Sequence, residues 1–341
     1  MKSHAIKRQT PLLEVHNLVK HFPVRRAVGD ILTRRPAPVV RAVDGVSFQV
    51  ARGRTLALVG ESGCGKTTTG RCVLYLQVPT SGEVFIDGTR IDPSDDSAMR
   101  ERRKQMQIVF QDPNSSLNPR MTIGQTLGEV LTFHTMVPTS GRDHAVNELL
   151  ETVGLSARQA GRYPNELSGG QRQRVGIARA LAVNPELVVA DEPVSALDVS
   201  VQAQILQLME RLRDERGLSY LFISHDLGVV RYISDDVAVM YLGVIVERAP
   251  TATLFAQPLH PYSQALLAAA PVANPRLRRK RVPLPGDPPS PMSPPSGCRF
   301  HTRCPFATEH CAAEVPALRE LTPGHLVACH YAERFLEAAA T

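Results

Sequence analysis

An α/β fold built on a parallel sheet is predicted by three stretches of this sequence. In the first, an apolar run, Thr55-Leu56-Ala57-Leu58-Val59, feeds a glycine-rich turn, Gly60-Glu61-Ser62-Gly63-Cys64-Gly65-Lys66-Thr67-Thr68. The residues that follow, through Thr69, Cys72, Val73 and Leu74, suit a helix. In the second, Leu187-Val188-Val189-Ala190 is apolar on both faces, as a strand inside a parallel sheet must be, and it ends in two carboxylates, Asp191 and Glu192. In the third, Leu167-Ser168-Gly169-Gly170-Gln171-Arg172-Gln173-Arg174 opens an amphipathic helix with Val175, Ala178, Leu181 and Ala182 on one face.

The turn fits the pattern G-x-x-x-x-G-K-S/T in the strand, turn and helix context that the pattern needs. Its glycines let backbone N–H groups close around phosphate oxygens without Cβ clashes. The helix N-terminus adds unpaired N–H groups and positive dipole. Lys66 can reach β- and γ-phosphates, and the Thr67 hydroxyl can ligate Mg2+. Ser62, Gly63, Cys64, Gly65 and Thr68 complete the cradle that begins at Gly60. In the second stretch, Asp191 suits the Mg2+ shell, and Glu192 suits a water poised to attack the γ-phosphate. A strand ending in solvated acids is the plainer alternative. In the third stretch, Ser168 stands where an N-cap belongs. Gly169 and Gly170 leave the first N–H groups open to an anion, although helix propensity disfavours both.

Taken together, these residues resemble the ATP-binding cassette (ABC) ATPases, and residues 167–171 are similar to that family's signature. Gln111, in Val109-Phe110-Gln111-Asp112-Pro113, resembles its Q-loop. Ser195-Ala196-Leu197-Asp198 resembles its D-loop, and His225, in Ile223-Ser224-His225-Asp226, its switch histidine. Phe22, in Val19-Lys20-His21-Phe22, stands where the family places an aromatic that stacks on adenine. Many members carry Tyr there, so Phe22 stacks without donating a hydrogen bond. The match covers roughly residues 12–248. It implies a nucleotide-binding domain at 10–250: a RecA-like core with an antiparallel β-subdomain and a helical subdomain at about 112–165. It also implies a head-to-tail dimer with each ATP held between Lys66 of one subunit and Ser168, Gly169, Gly170 and Gln171 of the other. Lys66, Gln111, Glu192 and His225 are then the catalytic set, Thr67, Gln111 and Asp191 the Mg2+ ligands, and Asp198 a link across the dimer.

Charge and length narrow the class. The formal charge of +6 and the run Arg276-Leu277-Arg278-Arg279-Lys280-Arg281 raise the idea of nucleic acid. A solvated linker or contact with anionic headgroups is the preferred reading, because no aromatics interleave the basic residues. No nucleic-acid partner is therefore expected. One phosphate loop, and no sustained heptads between Gln111 and Ser168, argue against tandem-cassette and coiled-coil members. No apolar run approaches the length of a membrane span, and Met1-Lys2-Ser3-His4 lacks a signal peptide's apolar core. The expectation is a peripheral protein on the cytoplasmic face of the inner membrane that borrows its pore from other subunits.

The segment 251–341 shifts in composition. Leu259-His260-Pro261-Tyr262-Ser263 precedes a proline-dense stretch from Pro283 to Pro295, read as extended. Gly297-Cys298-Arg299-Phe300-His301-Thr302-Arg303-Cys304-Pro305 follows it. This arrangement resembles the C-terminal extension of oligopeptide and dipeptide importer ATPases, nearest the second of the two that pair. The run from Gln111 to Arg120 and the insertion between Val24 and Val40 fit as well. The resemblance implies a heterodimer with a paralogous ABC ATPase, two transmembrane permeases and an extracytoplasmic substrate-binding protein. The implied cargo is a peptide. Nickel, haem, glutathione or glycosides are alternatives within the subfamily, and a soluble nucleic-acid ATPase is the alternative outside it.

Four of the six cysteines, Cys298, Cys304, Cys311 and Cys329, lie in this tail. Disulfides do not suit a cytosolic chain. Zinc sites commonly show a Cys-x2-Cys pair, absent here, whereas four thiolates in a loop-rich tail also suit a 4Fe-4S cluster. The resemblance favours the cluster, with zinc or no metal as alternatives. His301, His310, His325 and His330 read as surface residues, Cys72 as core packing, and Cys64 as part of the loop.

Overall fold

The computed structural model describes residues 11–24, 38–269 and 286–337. The N-terminal residues, most of the insertion between Val24 and Val40, the basic run at 276–281 and the first prolines of the proline-dense stretch lie outside the described residues. The strands are β1 (Pro11–Pro23), β2 (Val39–Ala51), β3 (Thr55–Val59), β4 (Ser81–Ile86), β5 (Thr89–Arg90), β6 (Met106–Val109), β7 (Leu187–Asp191), β8 (Ser219–Ser224), β9 (Asp236–Tyr241), β10 (Val244–Pro250), β11 (Arg319–Thr322) and β12 (His325–Val327). Two compact units form. One holds residues 11–13, 50–55 and 86–223, and the other residues 14–49, 56–85 and those from 224 onward.

In the first unit β6, β7 and β8 run parallel in that order. Met106 is opposite Leu187, and Asp191 is opposite Ile223. All five residues of β7 are buried, which is why this run is apolar on both faces. The stretch expected to be helical, at about 112–165, carries the helices Ile123–Phe133 and Arg142–Thr152. Thr122 and Gln125 form a reciprocal cap on the first of these, at 3.2 and 2.9 Å. Leu127, Leu150, Val153, Val175 and Ala178 are fully buried, and the larger side chains among them stabilise by roughly 1.5–3 kcal/mol each. Arg174 reaches back from the helix Gly169–Leu181 to the Val153 carbonyl at 2.6 Å.

The second unit carries β2, β1 and β4 in one sheet and β11, β12, β10, β9 and β3 in another, each in that order. Leu56 to Val59 of β3 run parallel to Asp236 to Val239 of β9. In that sheet β9 with β10, β10 with β12 and β12 with β11 are antiparallel. The chain after residue 250 thus extends a sheet, because its hairpin pairs Val327 with Glu247 and Leu326 with Arg248. Glu247 is completely buried. Its carboxylate accepts from the N–H groups of Leu259 (2.6 Å) and His260 (3.0 Å) and from His325 Nε2 (2.7 Å). One acid therefore fixes both the His-Pro-Tyr segment and the hairpin. This corrects the expectation that His325 is a surface residue: it is 2 % exposed because it pairs with Glu247.

Candidate functional site

The glycine-rich turn follows β3, and the helix Lys66–Val73 follows the turn, as the pattern requires. Gly60 and Gly65 take φ of 154° and 109°. A Cβ at Gly60 would lie 2.1 Å from the Met240 carbonyl oxygen, and one at Gly65 would lie 2.1 Å from that of Ala42. The turn is pressed against its own backbone supports, so no side chain fits at either place. Gly65 gives the helix no side-chain cap, which leaves its first N–H groups directed to an incoming anion. Lys66 is buried, and its Nζ donates to the carbonyls of Gly60 (2.7 Å) and Glu61 (2.9 Å). Burial pushes the Cys64 thiol above its ordinary range and that of Cys72 up to about 11. Both are therefore neutral packing groups, as the sequence suggested for Cys72.

The other turn residues, Ser62, Gly63, Thr67 and Thr68, lie in or directly after this turn. In the same unit, Phe22 is half-buried on β1 with Lys20 Nζ 4.9 Å from its ring centroid. His225 is exposed just beyond β8. Burial raises the Asp44 carboxyl, but hydrogen bonds from Arg299 and His21 outweigh it and hold the group below its ordinary value.

The first unit holds the acidic half. Asp191 is buried at the end of β7. Glu192 adopts φ of 46° and donates its N–H to the Ile223 carbonyl at 2.9 Å. A left-handed conformation at a glutamate is uncommon and costs energy that the surrounding backbone must hold in place. It turns the side chain toward Gln111, whose Nε2 donates to Glu192 Oε2 at 3.0 Å. The structure thus joins two residues that the sequence selected separately.

Ser168 caps the helix Gly169–Leu181. Its Oγ accepts from the Gln171 N–H at 3.3 Å, while Gln171 Oε1 accepts from the Ser168 N–H at 2.9 Å. Gly170 has a second reason to be glycine, since a Cβ there would lie 2.4 Å from Val201 Cγ1 on the helix Val199–Arg216. Asp198 precedes that helix and makes no side-chain cap; its carbonyl accepts from the Gln202 N–H.

All four tail cysteines line one cavity of about 20 Å³, together with Phe300, Phe306 and Phe335. None is disulfide-bonded. Burial raises the thiols of Cys298 and Cys304, and that of Cys329 to about 11. Among the described residues, no group of three or more His, Cys, Asp or Glu side chains is disposed to hold a metal ion.

Three residues of consequence were not selected from the sequence as site residues. Arg303 donates to both carboxylate oxygens of Glu61 at 2.8 and 3.2 Å, and the Tyr262 hydroxyl accepts the Glu61 N–H at 2.9 Å. Tyr262 sits in the His-Pro-Tyr element and Arg303 beside Cys304. Their partner Glu61 lies 242 positions from Arg303, a separation no local pattern bridges.

A phosphate loop on a β3–helix junction, a buried Asp191 ending β7 with Glu192 directly after it, and a serine-capped glycine helix define a nucleotide-binding subunit of the ABC class. The profile described as "ABC transporter" matches residues 43–195, and that described as "Oligopeptide/dipeptide transporter, C-terminal region" matches residues 246–311. The chain belongs to the ATP-binding proteins of oligopeptide/dipeptide ABC transporters. It is 51% identical to the oligopeptide transport ATP-binding protein AppF of Bacillus subtilis, covering 94% of this chain and 98% of that one. It is 50% identical to the dipeptide transport ATP-binding protein DppF of Haemophilus influenzae, covering 96% and 99%. A dimeric ATP-binding cassette solved in a post-hydrolysis state with ADP and Pi superposes with a TM-score of 0.61 at 30% identity, covering 70% of this chain and 98% of that one. No helix among the described residues is long and apolar enough to cross a membrane.

Proposed function

We propose that this chain hydrolyses ATP to drive peptide import, working with a paralogous ATPase beneath two membrane permeases and supplied by an extracytoplasmic binding protein. One observation carries the reading. A complete phosphate loop, with Lys66 buried behind it, occurs in a chain half identical over nearly its whole length to proteins named for oligopeptide and dipeptide transport. The cassette is assigned to residues 10–250 with its helical subdomain at 112–165, and the transporter-specific extension to 251–341. The protein acts from the cytoplasmic face of the membrane.

The roles follow from the chemistry of each group. Lys66 leaves the Gly60 and Glu61 carbonyls for the phosphates, exchanging two neutral acceptors for a charged one. Thr67, Gln111 and Asp191 hold Mg2+, which screens phosphate charge when bound. Glu192 would orient the attacking water, and it accepts a hydrogen bond from Gln111, one of the residues that would hold Mg2+. His225 contacts the γ-phosphate, and Phe22 stacks on adenine. The facing subunit presents its counterpart of Ser168, Gly169, Gly170 and Gln171 to the same nucleotide, and Asp198 links the two sites. The γ-phosphate fills the gap, so dimer closure follows its presence.

For the tail, a 4Fe-4S cluster is proposed on donor chemistry alone: four cysteines line one cavity walled by phenylalanines, while among the described residues no three of them are disposed to hold a metal ion. Bound there, the cluster would cross-link four points of a loop-rich tail and serve structure. Purification from detergent-solubilised membranes tests the assembly. Co-purification of two integral permeases and a sister ATPase, with peptide-stimulated phosphate release, is expected. Nucleic-acid stimulation without permeases would overturn it. An anaerobic absorption spectrum with a broad brown shoulder supports the cluster, and a colourless protein refutes it.

A further inference from the structure

The tail meets the phosphate loop at one residue, Glu61, and holds it from two directions. Arg303, only 6 % exposed, makes the two-pronged contact with the Glu61 carboxylate, and the Tyr262 hydroxyl accepts the Glu61 N–H. The Glu61 carbonyl in turn accepts from Lys66 Nζ. A single residue thereby connects an arginine of the cysteine-rich segment to the lysine of the nucleotide site. Both anchors are themselves rigid. Tyr262 is fully buried among Tyr241 and Phe300, with ring centroids 4.6 and 5.4 Å away. Arg303 lies in the 3-10 turn His301–Arg303, whose first N–H donates to the Cys298 carbonyl and which ends at Cys304. It also reaches the Tyr241 hydroxyl at 3.4 Å. A planar guanidinium matched to both carboxylate oxygens fixes direction as well as distance, which a lysine does not.

We propose that Arg303 and Tyr262 are positioning residues for ATP: the tail sets the conformation of the phosphate loop at Glu61 and so the placement of Lys66. The inference rests on the reading that the turn at residues 60–68 holds the ATP phosphates. Neither residue touches the nucleotide. Each acts through Glu61, so their loss weakens nucleotide binding and leaves the chemical step, built on Glu192, close to unchanged. Disturbance of the cysteine-bearing turn would reach the nucleotide site by the same path.

The test uses the full chain and equilibrium binding of a fluorescent MgATP analogue, aided by the absence of tryptophan, together with ATPase kinetics of the assembled transporter. Arg303→Met is expected to raise Kd and KM about ten-fold with kcat within about two-fold. Arg303→Lys, which keeps charge but not the fork, recovers part of the loss. Glu61→Gln is expected to match Arg303→Met, and the double variant to be no weaker than either single one, because both remove one contact. A Kd within two-fold of the parent for Arg303→Met overturns the proposal. So does an additive double variant, or a fall in thermal stability and kcat with Kd unchanged, which is the signature of a mere anchor. Should Arg303→Met fail to fold, an unchanged Kd in Glu61→Gln is sufficient to overturn it. Lys66→Ala separates the two levels. Normal binding in that variant refutes the phosphate-loop reading, whereas its loss alongside normal binding in Arg303→Met refutes only the positioning role.

Discussion

Replacing Glu247 by glutamine keeps the shape of the side chain and removes its charge. The carboxylate is wholly buried and accepts three hydrogen bonds, from Leu259 N–H, His260 N–H and His325 Nε2. All three partners point donors at it. A glutamine offers one oxygen and turns an NH2 group toward donors, so at least one backbone N–H loses its acceptor. Hydrogen bonds to a charged group are worth about 1.5–3 kcal/mol each, and an orphaned buried donor costs about 1–3 kcal/mol. Losing one of the former and stranding one of the latter gives roughly 2.5–6 kcal/mol, among the larger effects of a single substitution. The loss should be local: the His-Pro-Tyr segment and the β11–β12 hairpin detach together, because the same carboxylate holds both. Hydrogen exchange followed by mass spectrometry reads this directly, as faster exchange in peptides covering residues 259–262 and 319–327 and unchanged exchange in β6 to β8. Retained protection at Leu259 and His260 would show that the carboxylate is not the linchpin of the tail.

Three further outcomes are expected. Glu192→Gln should slow phosphate release by roughly 10²–10⁴-fold while MgATP still binds; turnover near that of the parent would remove Glu192 from its role. Burial lowers the His260 pKa from 6.5 to about 4. Its unfolded form therefore takes up a proton at higher pH than its folded form, and the stability this neutral ring contributes is intact above about pH 6.5 and declines as pH falls toward 4. The full loss is roughly 3 kcal/mol, and melting temperatures across that window should flatten in His260→Asn, whose Oδ1 can still accept the Tyr262 N–H that Nδ1 accepts now. Burial keeps the thiols of Cys298, Cys304 and Cys329 protonated at neutral pH, and metal loading must displace those protons. Anaerobic iron and sulfide loading should therefore rise from pH 7 to 9 and drop sharply in Cys329→Ser; iron uptake that ignores pH and the serine variant alike would contradict a site built on these thiols.

Much of the site could be read from the chain alone because its chemistry is local. The strand, turn and helix around Gly60 and Lys66, the acids after Ala190 and the cap at Ser168 each depend on neighbours within a few positions. Backbone geometry then enforces the same residue types: the Met240 and Ala42 carbonyls leave no room for a Cβ at Gly60 and Gly65. Gly170 was read as an opening for an anion, yet Val201 also demands a glycine there, a packing reason visible only once two helices meet. The hydrogen bond from Gln111 to Glu192 was legible as two motifs and illegible as a pair. Polarity alone suggests a surface position for His325 and does not reveal the buried acid that pairs with it. The role of Arg303 is set by Glu61, 242 positions away, and so leaves no local pattern.

The pairing of β10 with β12 bears on how this protein can be cut. A fragment ended soon after residue 250 would keep every nucleotide motif and yet bare the N–H and C=O groups that β10 now spends on Val327 and Leu326. It would also leave Glu247 without the amides and imidazole it was folded to meet. An open sheet margin beside an abandoned charge invites self-association, so a minimal cassette prepared this way should precipitate or form strand-exchanged assemblies.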